Sequence, residues 1–218
     1  MLIQRFNAEM VDPIRPRYNA APGQDLPVIR NTFPDQIHLI HWGLIPTWAK
    51  SDKHGYSLIN ARAETILEKR IFRSSFQKRR CLVLSDGFYE WSESQGRKTP
   101  YRMTLRTEAP FAFAGIWSNW KDPTDTMIQS FAIITTEANS LVAEIHSRMP
   151  VILHPTDEQN WLTQPPKDVL KLLIPFPAEL MQAYPVSPRV NSPKNDTLDI
   201  IKPVRARKDP VKRLDEFF

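Results

Sequence analysis

Absences set the first limits on this chain of 218 residues. Its one cysteine, Cys81, excludes an internal disulfide and is typical of a cytoplasmic protein. Glycine is scarce at 6 residues while proline reaches 20, a ratio that disfavours long helices and favours short strands with rigid connections. No apolar run is long enough to cross a bilayer, and no signal-peptide pattern opens the sequence. We therefore expect a soluble, cytoplasmic protein without a membrane partner.

The motifs of several common enzyme classes are also missing. The sequence has no metal-ligand spacing, no glycine loop that would cradle phosphates and no serine elbow, so we expect no metal and no cofactor. Hydrophobic residues make up 41% and charged residues 24% of the chain, which is ordinary globular usage. The net charge of +5 and the pI of about 9.4 favour a polyanionic partner, with nucleic acid as the first candidate.

Hydrophobic patterns predict many short strands with a few helices between them. CLVLSDGFYEWSE is predicted to form two strands that meet in a hairpin at residues 85–87, and Thr156 with Gln159 resembles a capping box. We divide the chain into a domain of residues 1–190 and a polar, basic tail of residues 191–218. The fold class is α+β with a mostly antiparallel, barrel-like sheet. Further strands are predicted in LPVIR, QIHLIHWGL, TPYRMTL, PFAFAGIW, QSFAIITT, MPVIL and QAYPVS, and helices in MLIQRFNAEM and EANSLVAEIHS.

Polar side chains at four places are candidates for chemistry. Asn60 and Arg62 are two apart in a segment predicted to be extended, so both would point to one face and suit a phosphate-bearing substrate; a capping asparagine and a surface arginine are the alternative. Glu90 lies among aromatic residues, which would exclude water and raise its pKa; the alternative is an exposed glutamate on an edge strand. His146 is either a proton carrier or a structural histidine. Asn19 either has a functional role or serves a turn.

Aromatic and basic residues extend this candidate surface. Trp42 and Trp48 could stack on unpaired bases or belong to the core. The run KRIFRSSFQKRR, which includes Arg73, contains six basic residues and no acid. It is either a solvated helix face or a patch for phosphates. Cys81 opens an apolar strand and is expected to be a buried, unreactive thiol.

Taken together and in this order, RPRYNAAPG, HWGLIPTWAK, LINARAET, RRCLVLSDGFYEW and IHSRMPVIL resemble the SRAP (SOS response-associated peptidase) family of abasic-site processing proteins. The resemblance runs from about Arg5 to Ser187, and five motifs in register are far more specific than any one alone. It implies an α+β fold with a bifurcated, pseudo-barrel sheet and a positively charged groove for single-stranded DNA with abasic sites. We expect a monomer.

The resemblance also implies roles for individual residues. Glu90 matches the family's catalytic glutamate, a proton carrier in opening of the sugar ring and formation of an imine. His146 matches the histidine that assists proton transfer, and Asn60 the asparagine that positions the N-terminal group. The resemblance further implies DNA contacts or pocket-shaping roles for Arg62, Arg148, Trp48 and Asn19. The charge pattern adds Arg73 as a DNA contact.

In the family, as the resemblance implies, an N-terminal cysteine reacts with the aldehyde of a ring-opened abasic site. Its α-amino group has a pKa of about 7.7–8.0, against about 10.4 for lysine, and forms a Schiff base. The adjacent thiol then closes a thiazolidine ring in an intramolecular step.

This sequence departs from the family at its start. Family members begin Met-Cys-Gly-Arg and an aromatic residue, whereas this chain begins Met-Leu-Ile-Gln-Arg-Phe. Arg5 and Phe6 can be aligned with that motif, but RFNAEM better resembles the end of the helix that follows it, so we expect the sequence to begin at an internal methionine. Without an N-terminal cysteine, the polypeptide is predicted to be unable to form a thiazolidine.

Two rival functions stay open. One is a peptidase that removes its own N-terminal extension with Glu90, His146 and Asn60; the other is a module that only binds single-stranded DNA. A weak lyase activity through another amine is conceivable but has no support in the sequence.

The tail suggests one further partner. Leu214, Phe217 and Phe218 are spaced like a sliding-clamp-binding peptide, although Val211 stands where that motif has glutamine. The alternative is that the aromatic pair packs on the domain.

Overall fold

The structure, a computed structural model, describes residues 2–51, 58–94 and 96–204. None of the helices in these segments is long and apolar enough to span a bilayer. The short helices are α1 (Leu2–Phe6), α2 (Arg70–Lys78), α3 (Ser140–Ala143), α4 (Glu158–Thr163) and α5 (Pro166–Val169). The strands are β1 (Glu9–Met10), β2 (Asp25–Arg30), β3 (Phe33–Trp42), β4 (Asn60–Arg62), β5 (Arg80–Ser85), β6 (Phe88–Ser94), β7 (Arg97–Leu105), β8 (Phe111–Lys121), β9 (Met127–Glu137), β10 (Arg148–Pro150) and β11 (Met181–Pro185).

Five strands close into a barrel. β3, β2, β5, β8 and β9 are hydrogen-bonded neighbours in that order. β3 closes the ring by pairing in parallel with β9, where His41 lies opposite Ser130 and Trp42 opposite Phe131. The other four pairs of the ring are antiparallel. The predicted α+β class with a mostly antiparallel, barrel-like sheet is therefore confirmed.

The C-terminal end of β9 runs past the residues that pair within the barrel, and two short strands pair with it there. β4 runs parallel to β9, with Arg62 opposite Thr135. β10 is antiparallel to β9, with Arg148 opposite Glu137. Segments that are far apart in the chain are therefore held side by side along one strand.

β6 belongs to a second, three-stranded sheet with β7 and β11, so the predicted hairpin between β5 and β6 is wrong. Both edges of β5 are already paired, with β2 and β8, and β6 pairs with β7 instead. The chain passes between the two sheets at Gly87. A Cβ there would lie 2.9 Å from the guanidinium carbon of Arg102, so a side chain at this position would displace that arginine.

The central barrel strands β5 and β8 are buried on both faces, which explains their nearly continuous apolar sequences. Successive residues of a strand point to opposite faces. Leu82 and Leu84 of β5 pack in one core together with Trp161 of α4, whereas Cys81 and Val83 belong to a second core. That second core also contains Met103 and Met181 of the three-stranded sheet and Phe131 of β9. The same strands therefore support the helices on one face and the second sheet on the other.

The opening helix is shorter than the sequence predicts. α1 ends at Phe6 because Asn7 adopts a left-handed conformation with φ of 48°, which asparagine tolerates, and β1 follows.

Arg5 joins α1 to α4. Its two terminal nitrogens donate to the Glu158 carboxylate at 2.6 and 3.1 Å, and its Nε donates to the Pro110 carbonyl at 3.1 Å.

The predicted capping box at the start of α4 does not form. The residue that caps α4 is Asp157, and its side chain makes no capping hydrogen bond. Thr156 lies in the preceding 3-10 turn, where its hydroxyl is 2.8 Å from His154 Nδ1. The Thr156 hydroxyl therefore contacts the His154 ring instead of capping the start of α4.

Residues 191–204 pack on the domain. Ile200 is fully buried, and the Asp196 carboxylate accepts hydrogen bonds from the backbone N–H groups of Tyr18 and Asn19 at 2.6 and 3.0 Å. The division of the chain at residue 190 stays a prediction. The three candidate clamp-binding residues lie outside the described residues: Leu214, Phe217 and Phe218.

Replacing Arg5 with methionine should lower the free energy of unfolding by about 3 kcal/mol, because the Glu158 carboxylate would stay buried without its partner. Burial already raises the pKa of Glu158, and the Arg5 hydrogen bonds oppose that rise. Urea unfolding measures the loss. The double variant R5M/E158L should recover most of it.

Arg106 provides the control, because its Nε donates to the Glu179 carbonyl at an exposed position. R106M should cost less than about 1 kcal/mol. Equal losses in R5M and R106M would show that the Arg5–Glu158 pair is not a special anchor.

Candidate functional site

A cleft of about 1310 Å³ is lined by the end of β9, by β4 and β10 beside it, and by β6 of the three-stranded sheet. Five arginines and three acidic residues line its described part, so its walls are basic. Trp48 and Arg73 are not among the described residues that line it. Six of the predicted site residues do line it: Asn19, Asn60, Arg62, Glu90, His146 and Arg148.

Glu90 and His146 face each other across this cleft. Glu90 Oε2 lies 3.9 Å from His146 Nδ1, and the Glu90 side chain is 21% exposed against 47% for His146. Burial raises the pKa of the Glu90 carboxyl, and the nearby His146 partly opposes the rise. The shift agrees with the expectation drawn from the aromatic neighbours of Glu90. A carboxyl group of this kind holds its proton to higher pH than an exposed one and is suited to donate it.

The His146 ring has a backbone partner in either protonation state. The Arg148 N–H lies 3.1 Å from Nδ1 and can donate to it when it is unprotonated, and the Arg148 carbonyl oxygen lies 3.0 Å away and can accept when it carries a proton. The His146 backbone N–H donates to the Val142 carbonyl at the end of α3. Asn139 begins that helix and accepts a hydrogen bond from the Val142 N–H. A ring held in this way can gain or lose a proton without moving.

β4 presents Asn60 and Arg62 on one exposed face, as their spacing predicts. Ala61 between them is fully buried. β4 and β10 pair with opposite edges of β9. The Arg62 side chain therefore lines the cleft from the β4 edge of that strand. A guanidinium in this position is exposed to an incoming anion.

Arg148 is bound by residues that the sequence did not indicate. Its two terminal nitrogens donate to the two Glu64 carboxylate oxygens at 2.8 and 3.0 Å, and Nη2 also donates to the Thr135 carbonyl at 2.8 Å. The Arg148 hydrogen bond lowers the pKa of Glu64. Glu64 stands two residues after Arg62, which was a weak signal for a charge pair. Thr135 lies inside an apolar strand, and nothing in the sequence indicated that it would bind Arg148.

Asn19 joins the loop at one side of the cleft to the C-terminal segment. It is buried, and its amide nitrogen lies 3.0–3.1 Å from three carbonyl oxygens, those of Val190, Ser192 and Asn195. These contacts suit a residue that shapes the cleft from behind, and a direct role for Asn19 in binding stays a prediction.

A second network, also missed by the sequence, fixes β6 below Glu90. Arg102 donates to the Tyr184 hydroxyl at 2.9 Å and pairs with Asp86 at 3.0 Å. The Tyr89 hydroxyl donates to the Tyr18 carbonyl at 2.6 Å. Burial raises the pKa of Tyr89 to about 12, so its hydroxyl keeps its proton and stays a donor. Tyr89 and Arg102 lie opposite each other in the β6–β7 ladder.

The aromatic and basic candidates separate into cleft and scaffold. Trp42 lines the cleft and stacks on Phe131 with ring centroids 6.4 Å apart. Trp48, in the loop after β3, is 64% exposed. Arg80, at the end of the basic run, is buried and donates to the Trp161 and Phe76 carbonyls. Part of that run is therefore structural. Cys81 is fully buried and burial raises its pKa, as expected of an unreactive thiol.

A basic cleft with an acid and an imidazole side by side has the groups needed to bind an anion and to transfer protons. Comparison with known proteins assigns the chain to a family. The family model described as SOS response associated peptidase (SRAP) matches residues 1–193, and the chain belongs to this family. Within the described residues, no group of three His, Cys, Asp or Glu side chains is placed to hold a metal ion.

Two curated relatives and one solved structure illustrate the similarity. The chain is 41% identical to the abasic site processing protein YoqW of Bacillus subtilis, over 92% of this chain and 93% of that protein. It is 30% identical to the abasic site processing protein HMCES of Rattus norvegicus, over 91% of this chain and 69% of that protein. A crystal structure of a Bacteroides thetaiotaomicron protein matches with a TM-score of 0.77 and 34% identity, over 84% of this chain and 82% of that one.

Replacing Glu90 with glutamine should stabilise the fold at neutral pH. The folded-state pKa of Glu90 is raised above its unfolded value of about 4.3, so the native state binds the proton more tightly. Wild-type stability should therefore fall as pH rises from about 4.3 through the folded pKa. E90Q has no such loss and should be the more stable protein at pH 7, with the difference vanishing at pH 3.5. Thermal unfolding between these two pH values measures it.

Glu93 is the matched control, because it lies on the same strand with a side chain that is 64% exposed. E93Q should leave the pH dependence of stability unchanged. A wild-type profile parallel to that of E90Q at every pH would contradict a partly buried carboxyl with a raised pKa at position 90.

Proposed function

We propose that this protein binds single-stranded DNA in the cleft and processes abasic sites there, with Glu90 and His146 as proton carriers. The observation that carries the proposal is the Glu90–His146 pair, 3.9 Å apart, inside a cleft lined by arginines. The curated relatives are named abasic site processing proteins, which supports the same substrate.

The chemistry of an abasic site fits these two side chains. The site exists as a closed hemiacetal, and processing needs its open aldehyde form. Ring opening requires a proton on the ring oxygen and removal of the proton from the C1′ hydroxyl. A protonated Glu90 can supply the first, and an unprotonated His146 can accept the second. The raised pKa of Glu90 favours the protonated form that this step needs.

Arg62 is the proposed contact for the DNA backbone. It is exposed on β4 and lines the cleft, as does Arg148, whereas Arg73, which the charge pattern added to the predicted DNA contacts, is exposed on α2. Single-stranded DNA requires a positively charged track for its phosphates and surfaces on which bases stack. Trp42 lines the same cleft and is proposed as such a surface.

Replacing Arg62 with alanine should weaken binding of an abasic oligonucleotide about fivefold at low salt and reduce the slope of log K against log[salt] by about 0.7, because one phosphate contact is lost. Fluorescence anisotropy over a salt series measures both quantities. R73A removes the same charge and should change neither by more than about a third of these amounts. Equal effects of R62A and R73A would contradict a DNA path through the cleft.

We also propose that a polypeptide that starts at Met1 of this sequence does not form the thiazolidine cross-link that the family resemblance implies. The ring requires a thiol next to the α-amino group. The sequence has one cysteine, in β5, and it is fully buried with a raised pKa. A thiol in that position cannot reach an aldehyde in the cleft without unfolding of the barrel.

An abasic oligonucleotide incubated with this polypeptide should give no heat-stable shifted band on a denaturing gel. A matched polypeptide with a Cys-Gly-Arg start should give the band, because it carries the amine and the thiol together. A heat-stable band from the present sequence would refute the proposal. A band that disappears on mutation of Cys81 would instead show that this thiol is accessible, contrary to its burial.

The remaining alternatives stay predictions. A self-processing peptidase and a weak lyase would both use the same cleft, and a binding-only module would show the salt dependence without a change in the DNA. Accumulation of an unprocessed precursor in a Glu90→Ala variant would favour the peptidase.

A DNA substrate also leads us to propose a cytoplasmic protein that acts at the nucleoid.

A further inference from the structure

The Glu64–Arg148 ion pair has the geometry in which an arginine holds a phosphate. Two guanidinium nitrogens meet two carboxylate oxygens, at 2.8 and 3.0 Å. A phosphodiester offers a guanidinium the same pair of oxygen acceptors. The fork of Arg148 is therefore occupied by a carboxylate at the edge of a cleft that we propose for DNA.

Glu64 does not itself line the cleft. It lines a separate depression of about 310 Å³ that also includes Glu137, Thr136 and Leu173. Arg148 lines the cleft and reaches this depression through its bond to Glu64. The arginine thus connects the two surfaces, and its hydrogen bond to the Thr135 carbonyl does not depend on Glu64.

We propose that Glu64 is an internal competitor of the DNA backbone, whose carboxylate a phosphate must displace from Arg148 before this arginine can contact the strand. The proposal rests on the proposed function, since it assumes that single-stranded DNA enters the cleft. Glu64 thereby takes a role in setting DNA affinity.

The exchange is physically easy. The Glu64 side chain is 50% exposed, so its carboxylate returns to water without a large penalty. Because the Glu64 side of this ion pair is open to water, solvent screens the pair and a phosphate can replace the carboxylate. Arg148 keeps its position through Thr135 while its partner changes. The lowered pKa of Glu64 keeps the carboxylate ionised at neutral pH, so the competition operates there.

Glu64→Gln should therefore tighten binding of a single-stranded abasic oligonucleotide by about two- to fivefold and make the salt slope steeper by about 0.7, because Arg148 becomes available for one more phosphate. The matched control is E137Q, which removes the same charge from the same depression at the position opposite Arg148 in the β9–β10 ladder. E137Q should give less than half of the gain in affinity and no change in slope.

A double-mutant cycle separates competition for Arg148 from a general loss of negative charge. In an R148A background, E64Q should give no more than the small gain of E137Q. A full gain without Arg148, or equal gains in E64Q and E137Q, would overturn the proposal. Failure of the wild-type protein to bind DNA at all would instead remove the proposed function, and this proposal with it. Circular dichroism of each variant confirms folding, and E64A should repeat the result of E64Q.

Discussion

Pairing along the length of β9 is the constraint on which the rest of the structure depends. The first part of this strand closes the barrel through β8 and β3, and its last residues pair with β4 and β10. A strand has only two edges, so the short strands can attach only beyond the barrel pairs. Their attachment places Asn60, Arg62 and Arg148 beside one cleft. The second sheet, packed on a core shared with the barrel, then brings Glu90 to the same place.

The electrostatics of the cleft follow from this packing. Glu90 is partly removed from water by the strands around it, so its neutral form is favoured, and five arginines line the same cleft. Two of these arginines are already engaged, Arg102 by Asp86 and Arg148 by Glu64. The cleft therefore combines a proton-holding acid with a positive charge that is only partly compensated. Both properties suit a polyanion whose sugar must gain and lose protons.

The elements that the sequence predicted correctly are those that local pattern decides. The apolar strands at LPVIR, PFAFAGIW and QSFAIITT are present, and the two-residue spacing of Asn60 and Arg62 puts both on one face. The errors lie where distant parts of the chain compete. The CLVL and FYEW strands do not form a hairpin, because β2 and β8 occupy both edges of the first. The opening helix stops at Asn7, and β1 joins the edge of β3 instead.

The sequence by itself determined the fold class, the burial of Cys81 and the chemical types in the site, because alternation, apolar runs and side-chain chemistry are properties of short segments. Five motifs in order also pointed to the family. Only the tertiary structure decided that Glu90 meets His146, that Glu64 holds Arg148, and that Trp48 and Arg73 lie apart from the described cleft lining. Those outcomes depend on which strand edges are free and which distant segments share a core. No local pattern encodes that information.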